Sequence, residues 1–230
     1  QINTIQQNYR HLQDSLQQYT QEIAELRLRA TATDLVVKRP AMQRLWTLIL
    51  NTANTKANIL ITGETGVGNS AVAKAIHAIS NRANGPFIEV NCAVLHENLI
   101  ESELFGYEKG AFTGAASAGK IGKIELANHG TLFLDEIGEL PPHIQSKLLQ
   151  LIQEKTIERV SGTKRIELDF RLLVATNRNL EEEVQRGLLR SDLFYRLNVI
   201  RVHIPPLRQR PEDILPMAHQ FLERISKEYG

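Results

Sequence analysis

"NILITGETGVGNSAVAKAIHAIS", residues 58–80, carries the reading of the fold. The short apolar run "NILIT" reads as a buried strand. It passes into the glycine loop "GETGVGNS", residues 63–70, and then into a segment with helical apolar spacing and no Gly or Pro. Strand, glycine loop and helix together form a phosphate-binding unit. Glycines let backbone amides converge on an anion, and the helix N-terminus adds positive potential. The pattern G-x-x-x-x-G-K-[ST] is met at Gly63, Gly68 and Ser70, but Asn69 stands at the lysine position. The candidate nucleotide-binding residues are Gly63, Glu64, Thr65, Gly66, Val67, Gly68, Asn69 and Ser70. Taken alone, the stretch also fits a glycine-rich turn with no ligand.

The same alternation continues outward. "PFIEVN" (86–91), "TLFLDE" (131–136), "RLLVAT" (171–176) and "NVIRVHI" (198–204) read as strands. "PPHIQSKLLQLIQE" (141–154) reads as a helix with proline near its first turn. "LVVKRPAMQRLWTLILNTANT" (35–55) reads as a strand-like entry and an amphipathic helix starting at Pro40. "TIERVSGTKRIELD" (156–169) reads as a hairpin turning at Ser161–Gly162. Apolar strands separated by helices predict an α/β fold, with a mostly parallel sheet covered on both faces.

Acidic residues fall where such a sheet binds ligands. In "GTLFLDE" four apolar-run residues lead directly into Asp135 and Glu136. Carboxylates at the C-terminal edge of a buried parallel strand face the ligand crevice. Asp135 and the Ser70 hydroxyl are the candidate Mg²⁺ ligands, and Glu136 the candidate group that orients or deprotonates a water. "LLVATNRN" (172–179) brings Thr176 and Asn177 to another strand end, where they could bond a γ-phosphate or that water. Asn179 could equally cap the helix that follows.

The chain has 230 residues, 42% hydrophobic and 23% charged, with a net charge of +1. This is the composition of an ordinary globular domain, and no overall basic surface advertises nucleic-acid binding. The single cysteine, Cys92, excludes an intramolecular disulfide and suits a reducing compartment. No apolar run reaches membrane-spanning length and no signal peptide is visible, so a cytoplasmic location is expected. The chain starts at Gln1 and stops inside a helical pattern, so it is expected to be a piece of a longer protein. Residues 1–30 contain no Gly or Pro. Ile2, Ile5, Tyr9, Leu12, Leu16, Tyr19, Ile23 and Leu26 keep an alternating three- and four-residue spacing. That is the seam of a left-handed coiled coil, simplest as a parallel dimer, although one amphipathic helix lying on its own domain has the same pattern.

"GAFTGA", residues 110–115, names a family. With it stand "FIEVNCAVL", "ESELFGYEKG", "GTLFLDEIGELP", "QSKLLQLIQE", "LVATNRNL", "RSDLFYRLNV" and "PPLRQRPEDI", in the family's order. The chain resembles the AAA+ ATPase domain of bacterial enhancer-binding proteins, activators of sigma-54 RNA polymerase that include the nitrogen- and nitric-oxide-responsive regulators. The resemblance implies an AAA+ P-loop three-layer fold at residues 34–210 and the start of a helical lid at 211–230. It implies ATP or ADP with Mg²⁺ bound between subunits of a ring, and the sigma-54 factor as partner through Gly110, Ala111, Phe112, Thr113, Gly114 and Ala115. Asn91 resembles the family's switch residue, which restrains Glu136. Arg190 and Arg196 resemble its arginine fingers, and "RVSGTKRI" its second moving loop. The family's lid sensor arginine and DNA-binding helix-turn-helix would lie beyond residue 230, and residues 1–230 are not expected to include a receiver domain.

The chain departs from that pattern at two places. Asn69 keeps hydrogen-bond donors but loses the ammonium charge, which predicts weak ATP binding and strongly reduced turnover on an intact fold. Lys74, five residues along the helix, does not share its face. On the adenine side, in "LVVKRPAMQ", Val36 and Val37 are the candidate contacts. Val37 and Arg39 replace the family's glycine and serine, so a side chain crowds the adenine approach. A non-hydrolysing interaction protein that dimerises through residues 1–30 is the alternative function.

Overall fold

The computed structural model describes residues 40–112 and 118–229, together with Gln6, Gln13, Ser15, Tyr19, Glu22, Ile23 and Leu26. Val36, Val37, Thr113, Gly114 and Ala115 lie outside the described residues, as do Ile2, Ile5, Tyr9, Leu12 and Leu16 of the heptad seam. Of that seam, Tyr19, Ile23 and Leu26 are helical and exposed.

Five parallel strands form the central sheet, in the order β2-β5-β8-β1-β9. They are β1 (Ile59–Thr62), β2 (Phe87–Asn91), β5 (Thr131–Asp135), β8 (Arg171–Thr176) and β9 (Ile200–His203). Each coincides with one of the apolar runs read from the sequence. The register Ile59↔Leu173 and Phe133↔Leu173 aligns β1, β5 and β8 across the middle of the sheet. Two small antiparallel pairs flank it: β3 (Gly106–Tyr107) with β4 (Lys120–Ile121), and β6 (Thr156–Glu158) with β7 (Arg165–Glu167). The β6–β7 pairing Glu158↔Arg165 centres the hairpin on Ser161–Gly162, where Ser161 has φ 60° and Gly162 N–H closes the turn on the Arg159 carbonyl.

The alternation of side chains along each strand builds two cores. Ile59, Ile61, Phe133, Leu173 and Ala175 point to one face. There they meet Met42, Trp46 and Ile49 of α1 (Pro40–Thr52) and Val72 and Ile76 of α2 (Asn69–Ile79). Leu60, Leu132, Leu134, Leu172 and Val174 point to the other face. That face is covered by α3 (Glu97–Phe105), α4 (Lys123–Leu126), α5 (Pro142–Glu154), α6 (Leu180–Gln185) and α7 (Ser191–Leu197). Strands buried on both sides need apolar residues at every position, which is why they read as runs rather than alternations. The result is a three-layer α/β/α domain. A final helix, α8 (Ile214–Tyr229), follows two short 3-10 turns, Leu207–Gln209 and Pro211–Asp213.

Two anchors tie the layers together. Arg171, nearly fully buried at the start of β8, donates to the Ala53 carbonyl and to the Thr52 carbonyl (2.8 Å), capping the C-terminus of α1. Gln145, 1% exposed on α5, donates from Nε2 to the carbonyls of Leu140 and Leu188, both at 2.8 Å. Its Oε1 accepts from Arg190 N–H at 3.0 Å.

Candidate functional site

The sheet topology brings the candidate residues to one edge. β1, β2, β5 and β8 end at Thr62, Asn91, Asp135 and Thr176, with Thr62 beside Thr176 and Asn91 beside Asp135. The connections diverge at β8 and β1, so the crevice at their C-terminal ends is where an open α/β sheet takes its ligand. The loop Gly63–Gly68 leaves β1 there and turns into α2, which begins at Asn69. Gly66 (φ 83°) and Gly68 (φ 107°) adopt left-handed backbone that side-chain-bearing residues avoid. Val72 N–H reaches back to the Gly68 carbonyl, which closes the first turn of the helix.

Beside the loop stand the two carboxylates. Asp135 Oδ1 accepts from Glu136 N–H at 3.0 Å. Glu136 has φ 53° and ψ 51°, a strained conformation for a residue with a side chain, and such strain concentrates at functional positions. Its Oε2 accepts from Asn177 N–H at 3.3 Å, while Asn177 Nδ2 donates to Thr65 Oγ1 at 2.8 Å. One asparagine thus joins the carboxylate that follows β5 to the glycine loop that follows β1. Burial raises the Glu136 pKa, as do the nearby Asp135 and Glu139 charges. Burial, with the Glu89 charge behind it, raises that of Asp135. Two carboxylates held under-compensated are a site that favours a cation.

The donor chemistry fits Mg²⁺ in part. Ser70 and Asp135 offer a hydroxyl and a carboxylate, the hard oxygen ligands that Mg²⁺ accepts while keeping water and phosphate as the rest of its shell. Among the described residues no cluster of three or more His, Cys, Asp or Glu could hold a metal unaided. Substrate phosphates would have to supply the remaining ligands.

Asn69 sits under the loop. It is 9% exposed, and its Oδ1 has no hydrogen-bond partner among the described residues. Lys74 is committed elsewhere, 3.0 Å from Glu89. Two arginines grip the loop from the segment after β9. Arg208 makes a forked ion pair with Glu64 (2.7 and 2.5 Å), and buried Arg210 donates to the Val67 carbonyl at 2.9 Å. Neither contact was visible in the sequence, because the partners are more than 140 residues apart.

The remaining candidates are dispersed. Thr176 is fully buried and its hydroxyl accepts from Arg178 N–H. Asn91 Oδ1 accepts from Ala93 N–H at 2.9 Å, and no bond joins it to Glu136 among the described contacts. Asn179 caps α6, accepting from Glu181 and Glu182 N–H. Cys92 is buried and its thiol is pushed up to about 12 by burial and by the Asp135 and Glu136 charges, so it is an inert core residue. Arg190 and Arg196 lie on the α7 side. Arg190 forks onto Asp192 (3.0 and 2.8 Å) and donates to Ser146, and Arg196 is exposed. Phe112 is 45% exposed and packs edge-on against Tyr107 at 5.0 Å. The base of its loop is pinned to the β6–β7 hairpin. Arg159 binds Glu125 at 3.1 and 3.0 Å and Glu108 at 3.2 Å, and Val160 N–H donates to the Gly106 carbonyl.

The chain is similar to known proteins in sequence and in fold. The family model described as "Sigma-54 interaction domain" matches residues 35–203. The Nif-specific regulatory protein of Azospirillum lipoferum is 50% identical over 207 residues, 90% of this chain and 33% of that protein. The regulatory protein AtoC of Escherichia coli (strain K12) is 51% identical over 194 residues, 84% of this chain and 42% of that protein. The crystal structure of NtrX from Brucella abortus in complex with ADP superposes with a TM-score of 0.79 at 39% identity, covering 90% of this chain and 45% of that one. Its complex with ATP gives 0.77 at 39% identity, covering 88% and 45%. The chain therefore spans between a third and a half of the length of these relatives.

Proposed function

The chain belongs to the sigma-54 interaction domain family of sigma-54-dependent transcriptional activators, and on that footing we propose that it is an ATP-binding AAA+ domain that acts on sigma-54 polymerase and is impaired in turnover by Asn69. The observation that carries the nucleotide site is the Asn177 bridge, which joins Glu136, just after β5, to Thr65 of the glycine loop. Backbone amides of Gly63–Gly68 and the first turn of α2 hold the phosphates. Ser70 and Asp135 are the residues for Mg²⁺, which when bound would neutralise phosphate oxygens. Glu136 orients the attacking water and takes its proton, helped by a pKa already raised by burial. Asn177 senses the γ-phosphate from its place between carboxylate and loop, with Thr176 fixing the strand end beneath it. Asn91 restrains Glu136 only after leaving its present bond to Ala93.

Arg190 and Arg196 reach a neighbouring subunit's ATP, a role that suits a planar, permanently charged fork. Gly110–Ala115 is the contact loop for the sigma factor, with Phe112 lifting off Tyr107. Val36 and Val37 lie on the adenine side. Residues 1–30 pair with a second copy, residues 34–210 form the ATPase unit and 211–230 begin the lid. DNA binding belongs to another domain of the longer protein, and the location is cytoplasmic.

Asn69 sets the limit on catalysis. A lysine charge about 4 Å from a phosphate oxygen is worth ~1 kcal/mol in water and ~4 kcal/mol at intermediate screening. Its loss costs between about fivefold and several hundredfold. The buried, unpaired Asn69 Oδ1 favours the second reading, a chain that binds nucleotide weakly and works by interaction alone. Calorimetric titration with ATP and ADP in Mg²⁺, on this chain and on Glu136→Gln, decides whether the site exists. Micromolar to millimolar binding kept in Glu136→Gln is expected, and no heat at any concentration would refute the site.

A further inference from the structure

Behind the phosphate loop a buried carboxyl group makes no hydrogen bond. Asp213, in the 3-10 turn that leads into α8, is 0% exposed, and neither carboxylate oxygen has a hydrogen-bond partner among the described residues. Arg210 Nη1 stands 4.0 Å from Asp213 Oδ2, too far for a hydrogen bond. That guanidinium, itself buried, is engaged elsewhere. Its Nη2 donates to the Val67 carbonyl at 2.9 Å, its Nη1 faces Met42 Sδ at 3.5 Å, and its Nε has no acceptor. Buried polar groups are normally hydrogen-bonded, so a carboxyl group at ion-pair distance from a guanidinium yet without a hydrogen bond asks for an explanation.

Two acceptors compete for one fork. One is a carbonyl inside the phosphate loop, and the other is a carboxylate at the foot of the lid helix. We propose that Arg210 is a positioning residue for anion binding. Its bond to Val67 holds the phosphate loop in the conformation seen here, and Asp213 is the alternative partner that draws the fork away when α8 moves. The pair is a two-state element that ties loop geometry to the first turn of α8. The inference rests on reading Gly63–Ser70 as a nucleotide site. The Arg208–Glu64 pair joins the same two segments, but at the surface, where solvent screens it.

The two partners predict opposite effects. Arg210→Gln removes the grip, and Asp213→Asn removes the competitor. With Mg-ADP as the probe, Arg210→Gln weakens binding about tenfold, the size of one charge-assisted hydrogen bond. Asp213→Asn binds as tightly as the parent or up to about threefold tighter, because the neutral amide no longer draws the fork away from Val67. Arg210→Lys recovers part of the loss. A purely structural role would weaken binding and lower the melting temperature in both variants together, and that result overturns the proposal. Hydrogen exchange of the nucleotide-free chain supplies an independent readout. Amides of residues 64–71 exchange faster in Arg210→Gln and no faster in Asp213→Asn. Unchanged exchange in Arg210→Gln also overturns the proposal. If the exchange pattern holds while the parent chain binds no ADP, the relay stands and the nucleotide assignment fails.

Discussion

Gln145 offers the sharpest test of how the arginine side of the domain is built. Its amide makes three bonds across the junction of α5 with the segment that ends in Arg190: to the Leu140 carbonyl, the Leu188 carbonyl and Arg190 N–H. Gln145→Leu keeps the volume and removes all three. Leu140 is 3% exposed, so its carbonyl stays orphaned at about 1–3 kcal/mol. Leu188 is 53% exposed and Arg190 is exposed too, so water re-satisfies those groups and each loss costs only about 0.5–1 kcal/mol. The sum is about 2–5 kcal/mol, or a fall of about 5–15 °C in melting temperature for a domain of this size. Gln145→Glu keeps the acceptor for Arg190 N–H but turns a carboxylate onto two carbonyls, so it destabilises at least as much. Urea and thermal unfolding of the three proteins measure both effects. A loss below about 0.5 kcal/mol for Gln145→Leu, or a milder Gln145→Glu, would refute the reasoning.

Three more outcomes follow from the contacts. Arg171→Met strips the caps from the Thr52 and Ala53 carbonyls. It is expected to cost about 2–4 kcal/mol in urea unfolding, with nucleotide affinity of the folded fraction unchanged. Arg159→Ala cuts the ties to Glu125 and Glu108, which are partly exposed and worth only about 1 kcal/mol. Limited proteolysis within 108–118 should nevertheless accelerate severalfold, and unchanged cleavage would show that the hairpin does not restrain that loop. His77, bonded to Thr131 and packed on Phe87, has its pKa lowered below 6.5 by burial. The unfolded chain therefore binds the proton more tightly, so this contribution is present above 6.5 and is lost as pH falls below it. His77→Phe should flatten the drop in melting temperature between about pH 7 and about pH 5 relative to the parent.

The sheet was legible because its strands are buried on both faces, so "NILIT", "TLFLD" and "RLLVAT" stand out as unbroken apolar runs between helices. Pro40, Pro142 and the Ser161–Gly162 turn marked boundaries by local backbone rules, and the structure puts element ends and a turn at those positions. The strand order was not legible, since pairing between residues more than 100 apart leaves no local mark. The structure brings Asp135, Glu136 and Asn177 together, and their places after apolar strands had put them at one sheet edge. Thr176, next to them, proved to be buried and locally bonded, because β8 is covered on both faces through its last residue. Gln145 carried one signal that went unread: a polar residue three positions before Leu148, on the buried side of α5. Arg208 and Arg210 carried none, since an arginine after a strand is usually a solvated one.

ATP hydrolysis by this chain and by Asn69→Lys, measured side by side at saturating Mg-ATP, tests the central claim most directly. A nucleotide site whose loop, carboxylates and Asn177 bridge are intact and whose lysine alone is missing predicts that Asn69→Lys turns over at least about fivefold faster. Equal rates in the two proteins would contradict it.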